Sequence, residues 1–229
     1  MSRSVFNPSV AVRARLLGVY AGEVRHRAGY RAAIRSAAAL ATFPALRRRA
    51  RLGTDLAGPI VDGVVGSVAS YRAIVPLLGP HRALGAVRSA VLAAARELAA
   101  TLPPLRGATD PLDALADALE ATLCAGQEIG VYEIRWHDGP PGTVQLEVLR
   151  CRIHEICHAL GAPEITACFC EAEVPVLTRA DRHLALVRDS TIARGGALCR
   201  FTFHVIEDLD ARRERASGRE RDARAAGGE

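Results

Sequence analysis

Apolar residues recur at two different periods along this chain, and the change of period divides it. Over residues 64–102 Ala, Leu and Val dominate, cut by Pro76 and by Gly79-Pro80, which predicts two helices with the break near Pro80. Pro103-Pro104 ends that stretch. Asp110 and Pro111 supply a cap and a first helical position, and Leu112, Leu115, Ala116, Leu119 and Leu123 then repeat at helical spacing as far as Gly126. Beyond it the period drops to two. Tyr132, Ile134 and Trp136 alternate with Glu133 and Arg135, and Val144, Leu146 and Val148 alternate with Gln145 and Glu147. The turn residues of 137–142 lie between them, so the two runs predict a hairpin. Helical spacing returns over 152–160, stopped by Gly161 and Pro163, and again over 164–177. Two further strands follow at 184–189 and 198–206, the second with Cys199, Phe201, Phe203 and Val205 on one face.

This order predicts an α+β fold: a helical N-terminal half, then an antiparallel sheet of about four strands with helices packed on it. Residues 1–52 read as a basic helical arm closed by the linker-like run from Arg47 to Gly53. Residues 53–210 form the single domain, with a cysteine-rich site in 151–201. The tail 211–229 is charged, has no apolar residue larger than alanine and is expected to be disordered.

Composition sharpens this picture in three ways. All 30 Lys and Arg residues are arginine, a usage expected of a GC-rich coding sequence, so arginine counts carry little functional weight. The net charge of +5 is unevenly distributed, because residues 1–52 hold eleven arginines against one acid, Glu23. With no interleaved aromatics or binding motif, that arm reads as a solvated helical extension, and nucleic acid is not an expected partner. No run approaches the roughly 20 uninterrupted apolar residues that span a bilayer. The apolar stretch within 36–46 sits too far inside the chain for an export signal. A soluble, cytoplasmic protein is the expectation, and in a reducing compartment its six cysteines are thiols for chemistry or metal, not a disulfide framework.

Five of those cysteines fall between 151 and 199. His154-Glu155-Ile156-Cys157-His158 fits the HExxH pattern, in which two histidines one helical turn apart chelate zinc and the glutamate activates water. A third ligand at the usual downstream spacing is absent from the sequence. On a helical wheel Ile153, Ile156, Cys157 and Leu160 form a stripe to bury, while Cys151, His154, Glu155 and His158 form a second, facing water or a cleft. In Cys168-Phe169-Cys170-Glu171-Ala172-Glu173, a helix makes Cys170 and Glu173 neighbours, so that a carboxylate can help place a thiol, a metal or a water. A lone cysteine on an apolar strand face, such as Cys199, is ordinarily a small hydrophobe.

Three separated blocks in this half resemble the L-2-amino-thiazoline-4-carboxylic acid hydrolase family. The first is Cys151-Arg152-Ile153-His154-Glu155 with Leu160-Gly161-Ala162-Pro163-Glu164, and the second is Phe169-Cys170-Glu171-Ala172-Glu173. The third is Arg188-Asp189-Ser190-Thr191, then Gly195, then Cys199-Arg200-Phe201. The chain departs from the family pattern at Glu173, where Asp is common, and at Arg200, where an acid is replaced by a base. The two histidines lie outside the pattern. The resemblance implies hydrolysis at a cyclic carbon–nitrogen bond of a small-molecule substrate, a cyclic amidine or related ring. It implies Cys170, Glu173 and Glu155 as catalytic groups, with Arg188 and Thr191 as substrate-binding residues. Two mechanisms stay open: a cysteine nucleophile with no cofactor, or zinc held by Cys151, Cys170 and Cys199 with a carboxylate or a histidine, His154 or His158, leaving a site open. A homo-oligomer is a further expectation. The alternative function is a zinc-binding small-molecule sensor or accessory domain without catalysis.

Overall fold

The computed structural model describes residues 9–49, 59–100, 111–128, 130–180 and 184–206. Helices α1 (Val10–Ala28), α2 (Tyr30–Ala39), α3 (Phe43–Arg49), α4 (Pro59–Leu78), α5 (Pro80–Ala99) and α6 (Pro111–Glu128) come first. Strands β1 (Tyr132–His137) and β2 (Thr143–Cys151), helices α7 (Arg152–Ala159) and α8 (Thr166–Ala180), and strands β3 (Leu184–Ser190) and β4 (Cys199–Val205) follow. The α+β class holds, with the break between α4 and α5 at Gly79, whose φ of 76° suits a residue without Cβ. Pro76 lies inside α4 and does not end it. The segment after Arg49, the Pro103-Pro104 stop and the tail lie outside the described residues.

The sheet is antiparallel throughout, in the order β1-β2-β4-β3. Its hairpin turns where expected, and Gly139 is required there, since a Cβ would meet the Thr143 hydroxyl at 2.5 Å. One face is apolar: Leu146, Val148, Cys199, Phe201, Phe203 and Leu184 pack with Leu112, Leu115, Leu119 and Leu123 of α6. A second core joins α2, α4, α5, α7 and α8 through Ala32, Val64, Val65, Val68, Ile74, Val87, Ile156 and Cys168. The stripe Ile153, Ile156, Cys157 and Leu160 is buried in it, as the wheel predicts.

Residues 10–49 are not a solvated extension. α1 lies along α5 and α2 against α4, and Val24, Ala32 and Leu46 are buried. Their apolar positions are sparse and small, so the alanine-rich helices approach closely without displaying a broad apolar stripe. Ser36 and Ser70 share a buried hydrogen bond of 2.6 Å across α2 and α4. Helix α4 is long and apolar enough, by length and composition over Ile60–Leu78, to cross a membrane, and half of that window is buried against the protein itself.

The register decides what meets at one end of the sheet. Tyr132 opens β1 opposite Cys151, which closes β2; Cys199 opens β4 opposite Val148; and Arg188, near the end of β3, lies opposite Phe201. Antiparallel pairing thus brings the starts of two strands and the ends of two others to the same edge, each delivering one chemically versatile side chain.

Candidate active site

Cys151 ends β2 and precedes α7 directly, with Arg152 N–H bonded to Val131 O at 2.9 Å, so strand and helix are locked to each other at this corner. Tyr132 and Cys151 both pack against the helical core and the sheet core, which places them at the seam between the two. α8 runs along β3 and brings Cys170 and Glu173 to the same seam. Cys170 lies within electrostatic reach of Cys151, Cys199, Glu173 and Arg188, Cys151 of Cys199 and Glu173, and Cys199 of Glu173 and Arg188.

Burial raises every thiol in this group. Cys170 is pushed up to about 12, first by burial and then by the Glu173 carboxylate and the neighbouring sulfurs, with Arg188 pulling weakly the other way. Cys151 rises to about 11 for the same first reason, although the Ile153 and His154 amides at the start of α7 act on its sulfur without forming a capping bond. Cys199 is raised by burial, and Ile192 N–H donates to its sulfur at 3.2 Å. Resting thiolates are therefore disfavoured.

Glu173 is the carboxylate that burial raises furthest towards neutrality. Although its side chain keeps 42 % of its surface, Oε2 is sealed from solvent and has no hydrogen-bond partner. Burial of that head raises its pKa to about 7, with Arg188 opposing. Arg188 Nη2 stands 3.8 Å from Oε2, too far for a hydrogen bond, and the guanidinium lies 5.9 Å over the Phe201 ring.

Thr191 begins the turn that follows β3. Its carbonyl accepts N–H bonds from Arg194 and Gly196, both at 3.0 Å, and Ser190 Oγ donates to Leu198 O at 2.8 Å. Gly196 is essential to this closure, because a Cβ there would lie 2.3 Å from Ser190 Oγ. The turn is what holds Ile192 N–H against Cys199.

The remaining candidates do not join the cluster. Glu155 is tied to Arg150 at 2.6 Å and to Arg152, and these arginines lower its pKa, so it has no proton to supply near neutrality. His154 and His158 sit with ring centroids 6.0 Å apart on α7, His158 exposed. Among the described residues no three Cys, His, Asp or Glu side chains are disposed to hold a metal ion. The zinc set expected for Cys151, Cys170 and Cys199 with a histidine does not fit these positions. The other cysteines play packing roles or stand apart: Cys157 and Cys168 are buried core residues raised to about 12 and about 11, and Cys124 is exposed on α6.

Two residues went unremarked as chemistry in the sequence. Tyr132 reads there as one more apolar strand position; the pairing of a hairpin of known turn with Cys151 is the signal that finds it. Glu147 reads as a solvent-facing alternation, yet it is 5 % exposed on the outer sheet face, bonded by His137 Nε2 at 2.8 Å and Arg200 Nη2 at 2.9 Å. Those partners, His137 foremost, lower its pKa. Arg200, where the charge is reversed relative to the family pattern, is thus neutralised across the strand.

Cys151, Cys170, Glu173, Arg188 and Cys199 lie where the antiparallel sheet of an α+β protein meets its helices. The chain belongs to the L-2-amino-thiazoline-4-carboxylic acid hydrolase family, whose model matches residues 60–203. That span runs from α4 into β4 and contains the whole cluster. No curated protein and no solved structure matches the chain.

Proposed function

We propose that this protein opens a small cyclic amidine bearing a carboxylate, 2-amino-thiazoline-4-carboxylate or a close relative, with Cys170 as nucleophile, Glu173 as proton carrier and Arg188 as the grip on the substrate carboxylate. The observation that carries the reading is the buried Oε2 of Glu173, which has no hydrogen bond and whose pKa burial raises to about 7, one helical turn from Cys170. A general base works best when its pKa lies near the working pH.

The steps follow from the protonation states. The Cys170 thiol at about 12 is not a resting nucleophile. Its proton passes to Glu173 as sulfur bonds to the amidine carbon, and Glu173 passes it on to the ring nitrogen as the C=N pair moves there. The carbon–nitrogen double bond is the one attacked; the single bond that breaks on opening is carbon–sulfur, whose electron pair leaves on the ring sulfur. Water, deprotonated by Glu173, then attacks the same carbon and expels Cys170, which recovers its proton. The departing ring sulfur takes the last proton, leaving an N-carbamoyl thiol and a net uptake of one water.

The test is release of free thiol from 2-amino-thiazoline-4-carboxylate by the purified protein, with mass spectrometry of quenched samples for an adduct on Cys170. Thiol release abolished in Cys170→Ala and Glu173→Gln supports the assignment. Undiminished release in Cys170→Ala would refute the nucleophile, and release unaffected by both substitutions would refute the site.

A further inference from the structure

The outer helical layer keeps large apolar side chains on the side turned away from the core. α1 lies along α5 and α2 along α4, and α1 with α2 and α4 with α5 are also in contact, so α1 and α2 form one layer over the other two. On α2 the face against α4 carries Ala32 and Ser36, whose hydroxyl bonds that of Ser70; Tyr30 and Ile34, one turn apart, stand on the opposite face and are exposed. On α1 Val10, Ala14, Leu17 and Ala21 fall on one stripe at spacings of three and four, and all four are exposed. A second apolar side on a helix already packed against a core is what a helix with a further partner carries. The charge of the layer selects that partner. Glu23 is the only acid in residues 10–49 and is bonded by Arg27 at 2.8 Å. Arg25, Arg31 and Arg35 are exposed and, among the described residues, make no ion pair. Arg31 and Arg35 flank the Tyr30 and Ile34 stripe, and Arg25 follows Ala21 by one turn.

We propose that this outer side of α1 and α2 docks on the surface of an anionic bilayer, Val10, Leu17, Tyr30 and Ile34 entering the headgroup layer and Arg25, Arg31 and Arg35 meeting lipid phosphates. A helix pair lying in the interface needs both parts: aliphatic side chains to bury, and cations beside them for acidic lipids. Tyrosine suits that depth, its ring at the acyl boundary and its hydroxyl among the headgroups. Nucleic acid would meet the arginines but leave Leu17 and Ile34 with nothing to bury against. A second copy would bury the aliphatic residues but bring like charges together. The attachment is peripheral and reversible, because a few side chains and three arginines give an attraction that salt screens. It is independent of the function proposed above, since Cys170 and Glu173 lie on α8 and Arg188 on β3.

The experiment is sedimentation of the full chain with sucrose-loaded vesicles, made of phosphatidylcholine alone or with about 30 mol % phosphatidylglycerol. The wild type should bind the mixed vesicles at least about ten-fold more tightly than phosphatidylcholine, and lose most of that difference as salt rises from about 0.1 to 0.5 M. Arg31→Gln with Arg35→Gln should weaken binding about 30-fold. Leu17→Gln with Ile34→Gln should weaken it about ten-fold. Leu17 keeps 61 % and Ile34 54 % of their surface, and glutamine is a good helix former, so this variant should melt like the wild type. Should either pair fail to fold, its single substitutions replace it, each carrying about half the effect in log units. A wild type that stays in the supernatant, or binds both vesicles alike, would overturn the proposal. So would a Leu17 and Ile34 variant that pellets as well as the wild type, which leaves only a diffuse attraction to polyanions, nucleic acid included. A lipid-free dimer that the same variant dissociates would assign the face to a second copy instead.

Discussion

Replacing Glu173 by Gln removes a carboxylate whose proton the fold retains, so the variant should differ in stability only where that proton matters. An ordinary glutamate titrates at 4.5 and Glu173 at about 7, because burial of its head outweighs the pull of Arg188. Between those values the unfolded chain has released the proton and the folded chain has not. The wild type therefore loses stability as pH rises through that window and does not regain it above. At ~1.4 kcal/mol per pH unit, a span of about 2.5 units sets a ceiling of ~3 kcal/mol. The side chain keeps 42 % of its surface, and solvent screening brings the figure to about 1 kcal/mol. In a domain of this size that moves the melting midpoint by roughly 2–4 °C. Glutamine is neutral and nearly the size of a protonated glutamate, so the two proteins should melt together at about pH 4.5 and the variant about 2–4 °C higher at about pH 8. Thermal unfolding followed by circular dichroism at constant ionic strength, across that range, measures the difference directly and cancels every other titration. A difference that does not vary with pH, or a variant less stable than the wild type at the alkaline end, would refute the placement of this carboxylate in a low-dielectric seam.

Alkylation of Cys151 and Cys170 by iodoacetamide in the folded protein should be slow at about pH 7 and rise about ten-fold per pH unit towards pH 10; peptide mass spectrometry checks it, and rapid labelling at neutrality would contradict the raised thiols. Arg188→Gln should raise KM at least about ten-fold for the carboxylate-bearing substrate and leave kcat less affected, a split that steady-state kinetics resolves. Gly196→Ala forces a Cβ into Ser190 Oγ and should destabilise by about 1–3 kcal/mol in urea unfolding, loosening the turn that holds Cys199. His154→Ala and His158→Ala should leave metal content, read by plasma mass spectrometry, unchanged; loss of a stoichiometric ion in either variant would restore the HExxH reading.

The difference between what the chain announces and what it conceals follows the range of the interactions. Local periodicity determined the elements: leucines at helical spacing made α6, alternation made the hairpin, and Gly79-Pro80 separated α4 from α5 because glycine tolerates a positive φ and proline starts a helix. The apolar stripe of α7 was legible for the same reason, since a helix's own geometry fixes which side chains share a face. The N-terminal helices were misjudged as solvated because alanine contacts carry little periodic signal, and only the close approach of α1 to α5 and α2 to α4 buries Val24 and Ala32.

At the site, spacing singled out Cys170 and Glu173 and the family resemblance pointed to Arg188, but neither gave their states. Whether a carboxylate is an ion-pair partner or a proton carrier depends on what surrounds it: Glu155 and Glu173 are chemically identical, yet two arginines lower the first and burial raises the second to about 7. The same distinction separates the polar positions of the sheet, where Glu147 is buried by His137 and Arg200 from neighbouring strands. Tyr132 joined the cluster through pairing register, a long-range property that no window along the chain contains. Sequence determined which elements form and which chemistry is available; the tertiary structure decided which groups meet and which protons they hold, because burial and charge act through space and not along the chain.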